Sequence, residues 1–262
     1  MDRNFYGLTR NSTAAYSRVT QDMDSNLEEL NPLPEFSVAV PPNPRLVAMM
    51  EKEGVGAEKF RMLAARLEYL RKQRQLKKLV ITSTLKGEGK SVISANLALT
   101  LARRQRTLLI DGDLRQSGLR DLFGNHDLLG LTDWWEEAAD ITDFLRRVNE
   151  LPLWYLPPGE ATGEPLEILQ SQRMSEMLTQ VAEWFEWVII DSPPLAAVAD
   201  PNVWATQADG TLLVVEQAKT PKKLLGKTLE GIENLKVIGV VVNGSQDTSH
   251  QYYRQYYKKP QK

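Results

Sequence analysis

From position 78 onward the chain alternates short, uniformly apolar runs with stretches of helical period. The runs are LVITS at 79–83, TLLID at 107–111, WVIID at 187–191, GTLLVVE at 210–216 and VIGVVVN at 237–243, with a weaker LWYLP at 153–157. Strands this uniformly apolar are predicted to be buried on both faces, in a mostly parallel sheet covered by helices. Helices are predicted between them over Val92–Arg104, Ser171–Phe185 and Pro221–Asn234. Upstream, Phe60, Leu63, Leu67 and Leu70 recur at helical spacing with charges between them, which predicts one amphipathic helix over 57–74. The alternation predicts a doubly wound α/β domain with its ligands at the carboxyl ends of the strands. Residues 1–45 are polar and finish in the proline-rich stretch NPLPEFSVAVPPNPR, which predicts a flexible or loosely packed arm. The expected division is therefore an arm at 1–45, a nucleotide-binding domain at 46–245 and a polar tail at 246–262.

The first strand runs into Thr84-Leu85-Lys86-Gly87-Glu88-Gly89-Lys90-Ser91, after which a helix starts. This resembles a P-loop, G-x-x-x-x-G-K-[ST], with threonine in place of the first glycine. Gly87, Glu88, Gly89, Lys90, Ser91 and Val92 are the candidate phosphate-binding positions. The glycines let the backbone curl so that successive N–H groups converge on a phosphate, and the helix N-terminus adds partial positive charge. Lys90 is placed to reach the β- and γ-phosphates of ATP, and the Ser91 hydroxyl to ligate Mg²⁺. The alternative is a glycine-bearing strand–helix turn with an incidental lysine.

Two further strands end in acids. The second closes Leu108-Leu109-Ile110-Asp111-Gly112-Asp113-Leu114-Arg115, with two carboxylates at i and i+2 that point the same way in extended backbone. They are expected to hold a hydrated Mg²⁺ jointly, and one of them to accept a proton from an attacking hydroxyl. An Asp/Gly-rich turn is the structural alternative. Val188-Ile189-Ile190-Asp191-Ser192-Pro193-Pro194 places a third acid, Asp191, in a Walker-B role, with a helix N-cap as the alternative.

A GEGKS Walker A, an apolar-apolar-apolar-D-x-D-x-R second motif and an IIDSPP Walker B, in this order, resemble the bacterial tyrosine kinases (BY-kinases) of capsule and exopolysaccharide synthesis. The likeness covers about residues 45–262. It implies a P-loop fold of the MinD/ParA type with deviant Walker motifs, and an ATP- and Mg²⁺-dependent autokinase. It also implies roles: Lys90 and Ser91 on phosphates and Mg²⁺, Asp111 as base toward a tyrosine hydroxyl, Asp113 supporting the metal and Asp191 as the third acid. Arg115, of the D-x-D-x-R motif, is carried over as a cofactor-binding position. Asn243, at the end of the last strand, resembles the adenine-contacting Asn of the wider ATPase superfamily; Asn before Gly is also a common turn.

Four of the eight tyrosines, Tyr252, Tyr253, Tyr256 and Tyr257, fall in the final twelve positions, against well under one expected from composition. That segment has neither strand alternation nor a helical apolar stripe, so it suits a substrate better than a core element. Its cations ease approach to an acidic, ATP-loaded cleft. BY-kinases carry such a cluster, which makes these four the implied phosphoacceptors.

Overall composition narrows the picture. Basic and acidic residues number 32 and 34, a net charge of −2 that argues against a general nucleic-acid binder. The absence of cysteine excludes disulfides and thiolate metal sites, and His126 and His250 are too few for a typical zinc site. The N-terminal stretch lacks a signal peptide's apolar core and no run approaches a membrane span, so a cytoplasmic protein is expected. The resemblance then implies a separate membrane activator, a polysaccharide co-polymerase.

The chain departs from the family at three places. The E-x-x-R-x-x-R assembly motif is met at Glu58 and Arg61 but has Ala64 third; Lys86 and Ser117 stand where proline is usual. Self-association is expected only in that reduced sense. Two other functions fit the motifs: a MinD/ParA-type positioning ATPase, disfavoured by Leu85 where its signature lysine belongs, and a nucleotide-sensing regulatory subunit of polysaccharide export with weakened catalysis.

Overall fold

The computed structural model describes residues 35–36, 44–51, 53–124, 126–137, 139–148, 151–160, 163–230 and 235–245. The tail tyrosines, nearly all of the expected arm and His250 lie outside these residues. The elements from Glu35 onward belong to one compact unit.

Among the described residues, eight strands form one sheet: β1 (Glu35–Phe36), β2 (Lys78–Ser83), β3 (Thr107–Asp111), β4 (Arg146–Val148), β5 (Leu153–Leu156), β6 (Trp187–Asp191), β7 (Gly210–Glu216) and β8 (Val237–Asn243), in the order β1-β4-β5-β3-β6-β2-β7-β8. From β5 to β8 every neighbouring pair is parallel, and only the β4–β5 pair is antiparallel. The helices are α1 (Val47–Met50), α2 (Val55–Arg71), α3 (Lys90–Leu101), α4 (Gly118–Phe123), α5 (Leu131–Glu137), α6 (Pro165–Leu169), α7 (Gln172–Trp184), α8 (Asp200–Gln207) and α9 (Lys222–Glu230). None of the described helices is long and apolar enough to cross a membrane.

All six predicted strands form, within a residue of their expected limits, because runs this rich in apolar residues favour a covered parallel sheet. β3 and β6 are buried at every position. The helix predicted at 171–185 becomes α7, with Ser171 as its N-cap: the Ser171 hydroxyl accepts the Met174 N–H at 3.1 Å. Helix α3 is buried at all positions but one, consistent with its place at the centre of the molecule. Asn96 of this helix ties down the entry to the domain, accepting from the Ala48 N–H and donating to the Arg45 carbonyl.

One expectation needs correction. β8 is not buried on both faces: Val240 and Val242 are 54% and 55% exposed, β8 being the last strand of the sheet among the described residues. Within the stretch read as a flexible or loosely packed arm, Glu35 and Phe36 pair in parallel with Arg147 and Val148.

The topology fixes the site. β2, which leads into the phosphate loop, lies between β6 and β7, and β6 lies between β2 and β3. The carboxyl ends of β3 and β6, which carry Asp111 and Asp191, therefore open beside the start of α3.

Candidate active site

The phosphate loop spans the gap between β2 and α3. Gly89 is the N-cap of α3 and adopts φ 92°, a left-handed conformation open to glycine, and a Cβ there would strike the Asn243 side chain. Glu88 braces the loop from inside. Its fully buried carboxylate accepts the Leu85 N–H at 2.8 Å and the Thr220 hydroxyl. The loop is also held from β7 and β8: Lys219 donates to the Gly87 carbonyl at 2.9 Å, and Asn243 to the Glu88 carbonyl at 3.0 Å. Glu88 thus offers a ligand only its backbone, as does Val92, whose side chain packs on the core.

Lys90 lies across the mouth of this loop. Its ammonium donates to Asp113 Oδ2 at 2.9 Å and to Ser91 Oγ at 3.3 Å, and stands 3.7 Å from Asp191 Oδ2. Burial works against this ammonium, but Asp191 and then Asp113 outweigh it and leave its pKa raised.

Asp111 and Asp191 are register partners on β3 and β6, so two fully buried carboxylates lie side by side. Asp191 Oδ1 accepts from Ser94, which lies one helical turn after Lys90. Burial pushes the Asp191 carboxyl up against the opposing effect of Lys90 and of the Ser91 and Ser94 hydroxyls. Asp111 Oδ2 accepts from Ser117 and, at 3.2 Å, from Tyr155. Burial, and then the Asp191 charge, raise the Asp111 pKa to about 7 against the Ser117 hydrogen bond and Lys90.

Between β3 and Asp113 the chain turns tightly. The Gly112 N–H donates to the Asp191 carbonyl at 2.8 Å, and the Gly112 carbonyl accepts from the buried Trp204 indole at 3.1 Å. A Cβ on Gly112 would lie 2.8 Å from that indole nitrogen, so glycine is required by close approach. Asp113 is committed on both oxygens, to Lys90 and to the Gln116 N–H at 3.0 Å. Arg115 turns elsewhere, bonding buried Asp200 at 3.1 Å and Glu164 at 2.9 Å.

The structure therefore gathers Lys90, Ser91, Asp111, Asp113 and Asp191 into one corner beside the loop, with Asn243 behind it. It directs Arg115 to an ion-pair cluster with Asp200 and Glu164. Sequence reasoning missed Ser94, Tyr155, Trp204, Lys219 and Thr220. Ser94 had a signal, its i+4 position on the Lys90 face of the helix; the others meet the site only through the fold.

A divalent cation fits this corner in one respect. Asp111 Oδ1 and Asp191 Oδ2 are buried without a hydrogen-bond partner; Asp191 Oδ2 already faces the Lys90 ammonium at 3.7 Å, so Asp111 Oδ1 is the oxygen left to meet water or a cation's water shell. Among the described residues, no three acidic or histidine side chains converge as a ready cage.

Residues 79–261 match the CobQ/CobB/MinD/ParA nucleotide binding domain. The tyrosine-protein kinase YwqD of Bacillus subtilis (strain 168) is 33% identical over 214 residues, 80% of this chain and 90% of YwqD. The succinoglycan biosynthesis transport protein ExoP of Rhizobium meliloti (strain 1021) is 34% identical over 193 residues, 71% of this chain and 25% of ExoP. Among solved structures, the chimerical protein CapA2B2 superposes with a TM-score of 0.72 at 26% identity, covering 85% of this chain and 97% of that one. A nucleotide-binding P-loop domain with relatives of this kind over most of its length has one home: the chain belongs to the bacterial tyrosine kinase family.

Proposed function

We propose that the protein transfers the γ-phosphoryl group of ATP to tyrosines of its own tail, Tyr252, Tyr253, Tyr256 and Tyr257, and that this regulates exopolysaccharide or capsule synthesis and export. The observation that carries the mechanism is Asp111. It is a buried carboxyl at the loop's edge with a pKa near neutrality and one oxygen free of hydrogen bonds, the properties required of a general base working near pH 7.

The backbone N–H groups of Gly87 to Val92 cradle the phosphates, and Lys90 exchanges Asp113 for the β- and γ-phosphate oxygens. Ser91 and Asp191 would hold magnesium, with Asp111 meeting it only through its water shell and Asp113 in support through Lys90. Bound magnesium supplies positive charge against the transferring phosphoryl oxygens and the neighbouring carboxylates. The acceptor tyrosine oxygen bonds to the γ-phosphorus as the bond to the β–γ bridging oxygen breaks. The phenolic proton passes to Asp111, and ADP departs with the bridging oxygen's electron pair. Asn243 serves the site from behind, as a brace of the loop. Arg115 is the weakest of the cofactor-binding assignments, because Asp200 and Glu164 already occupy it.

The acceptor tail comes from a neighbouring copy. Only a short polar stretch separates Asn243 from Tyr252 in sequence, which favours an acceptor from another copy. Each phosphate adds roughly −1.5 to −2 charges, which expels a modified tail from a corner holding Asp111, Asp113, Asp191 and ATP. Phosphorylation then dissociates the copies. A separate membrane co-polymerase holds the kinase at the inner face of the plasma membrane and activates it.

The test mixes a Lys90→Ala protein with an active protein lacking the four tail tyrosines, in ATP and Mg²⁺, and follows phosphotyrosine and light scattering. Labelling of the Lys90→Ala tail and loss of assembly are expected. An unlabelled partner, alongside concentration-independent self-labelling of the intact enzyme, would place transfer in cis and overturn the tail exchange. No phosphotyrosine in any mixture, including intact enzyme, would overturn the kinase reading.

A further inference from the structure

The two oxygens of Asp111 are not equivalent. Oδ2 accepts hydrogen bonds from the Ser117 hydroxyl and, at 3.2 Å, from the Tyr155 phenol; Oδ1 is buried and has none. Both hydroxyls are forced to act as donors here. Ser117 Oγ accepts the Arg120 N–H at 2.9 Å as the N-cap of α4, so its single proton is directed to Asp111. Tyr155 is fully buried on β5, and its hydroxyl is directed at Oδ2.

The two donors reach Asp111 from different parts of the fold. Ser117 sits at the start of α4, six residues beyond Asp111, and Tyr155 lies on β5 beside β3, 44 residues away. They are also packed to each other indirectly. Phe123, the last residue of α4, meets the Tyr155 ring edge-on, with centroids 5.1 Å apart and an interplanar angle of 88°. Both rings are fully buried, so neither the phenol nor the cap can move without disturbing the core.

We propose that Ser117 and Tyr155 are positioning residues that saturate Oδ2 and fix Oδ1 as the working oxygen of Asp111, the atom that receives the acceptor tyrosine's proton. A carboxylate free to rotate would divide its time between two acceptor oxygens. Here one is already filled by two hydroxyl donors, so the incoming phenol finds a single acceptor at a fixed place. Ser117 is of particular interest because it stands where the family usually has proline, a residue with no hydroxyl to donate. In this chain the cap of α4 thereby also holds the base. The inference rests on the reading of Asp111 as the base.

The experiment measures initial self-labelling at saturating ATP (kcat), the half-saturating ATP concentration (KM) and titration with a fluorescent ADP analogue in Mg²⁺. The variants are Tyr155→Phe, Ser117→Gly, Ser117→Thr, Tyr155→Phe with Ser117→Gly, and Asp111→Asn. Glycine is well accepted at an N-cap but has no hydroxyl, whereas threonine keeps both cap and donor. Loss of orientation by one group is expected to lower kcat about tenfold, and by both more steeply, as misplaced catalytic groups do. KM and the ADP-analogue affinity are expected to stay within about twofold, since these hydroxyls touch no phosphate. Ser117→Thr is expected to restore kcat.

Wild-type kcat in Tyr155→Phe and Ser117→Gly, with Asp111→Asn inactive, overturns the positioning role and leaves the base standing. An equal fall in Ser117→Gly and Ser117→Thr, or a parallel loss of kcat and nucleotide affinity, also overturns it, because both mark general loosening of the loop. Undiminished kcat in Asp111→Asn removes the base itself, and this inference with it.

Discussion

The Lys90 ammonium stands 2.9 Å from Asp113 Oδ2 and 3.7 Å from Asp191 Oδ2, and none of the three side chains is more than a tenth exposed. The phosphate-loop lysine is therefore also the counter-ion of the acidic turn. Removing one member of such a buried group strands the others, at a cost of about 3 kcal/mol or more. Lys90→Ala is thus expected to abolish labelling and also to lower stability at pH 7. Part of that loss should return near pH 5, where the stranded Asp191, whose carboxyl burial already pushes up, can take up a proton. Urea unfolding at the two pH values, beside a labelling assay, checks this; unchanged stability at pH 7 would show that the ion pairs contribute nothing.

Asp111 makes stability depend on pH in a defined direction. Its pKa is about 7 in the folded protein and 3.8 in an ordinary setting. Between those values the folded state holds a proton that the unfolded chain has released, so this group's contribution to stability declines as pH rises. Below the lower value and above the upper one the slope vanishes. Thermal unfolding of the metal- and nucleotide-free protein is expected to show melting temperature falling from about pH 4 to about pH 7, more steeply than in Asp111→Asn. Equal slopes in the two proteins would contradict the assignment.

The tight turn at Gly112 is expected to resist any side chain. Alanine there puts a methyl group 2.8 Å from the Trp204 indole nitrogen and 2.9 Å from the Asp191 carbonyl. Strain of about 1–3 kcal/mol and a displaced Asp111–Asp113 turn should follow, with a large fall in kcat. Trp204→Phe removes only the indole donor to the Gly112 carbonyl, plus some volume. It is expected to be milder in rate. Denaturation and initial rates on both variants distinguish the two effects.

The two register-matched acids should separate kinetically. Asp111→Asn is expected to lower turnover while leaving ATP affinity nearly intact, since the amide cannot accept the phenolic proton. Asp191→Asn should in addition raise the Mg²⁺ concentration needed for half-maximal rate. Rate measurements over a magnesium series decide it, and equal, small effects from both variants would remove the division of labour.

Much of this site was legible in the sequence because its main groups lie at the ends of apolar runs. Lys90, Ser91, Asp111 and Asp191 each follow or close a buried strand, and a parallel sheet brings such ends to one edge. What lay hidden are the groups that meet the site from the side. Tyr155 reaches Asp111 across 44 positions, Trp204 reaches Gly112 across 92, and neither differs in sequence from an ordinary core aromatic. Arg115 was legible only in part: its motif position says where the backbone lies, but Asp200 and Glu164 decide where its guanidinium goes. Strand β4 left no trace, being three residues of which two are arginine. The open face of β8 was invisible because apolar content does not reveal which strand is last in the sheet.

The hydrogen bond from Asn243 to the Glu88 carbonyl spans 155 positions of sequence and 3.0 Å of space. It makes the end of the last strand and the phosphate loop a single mechanical joint. Strain applied to the chain just beyond Asn243, by a docked partner or a tethered load, is transmitted to the nucleotide's cradle through one side-chain amide. Such a joint works in both directions, and a loop drawn tight around phosphate also stiffens the end of β8.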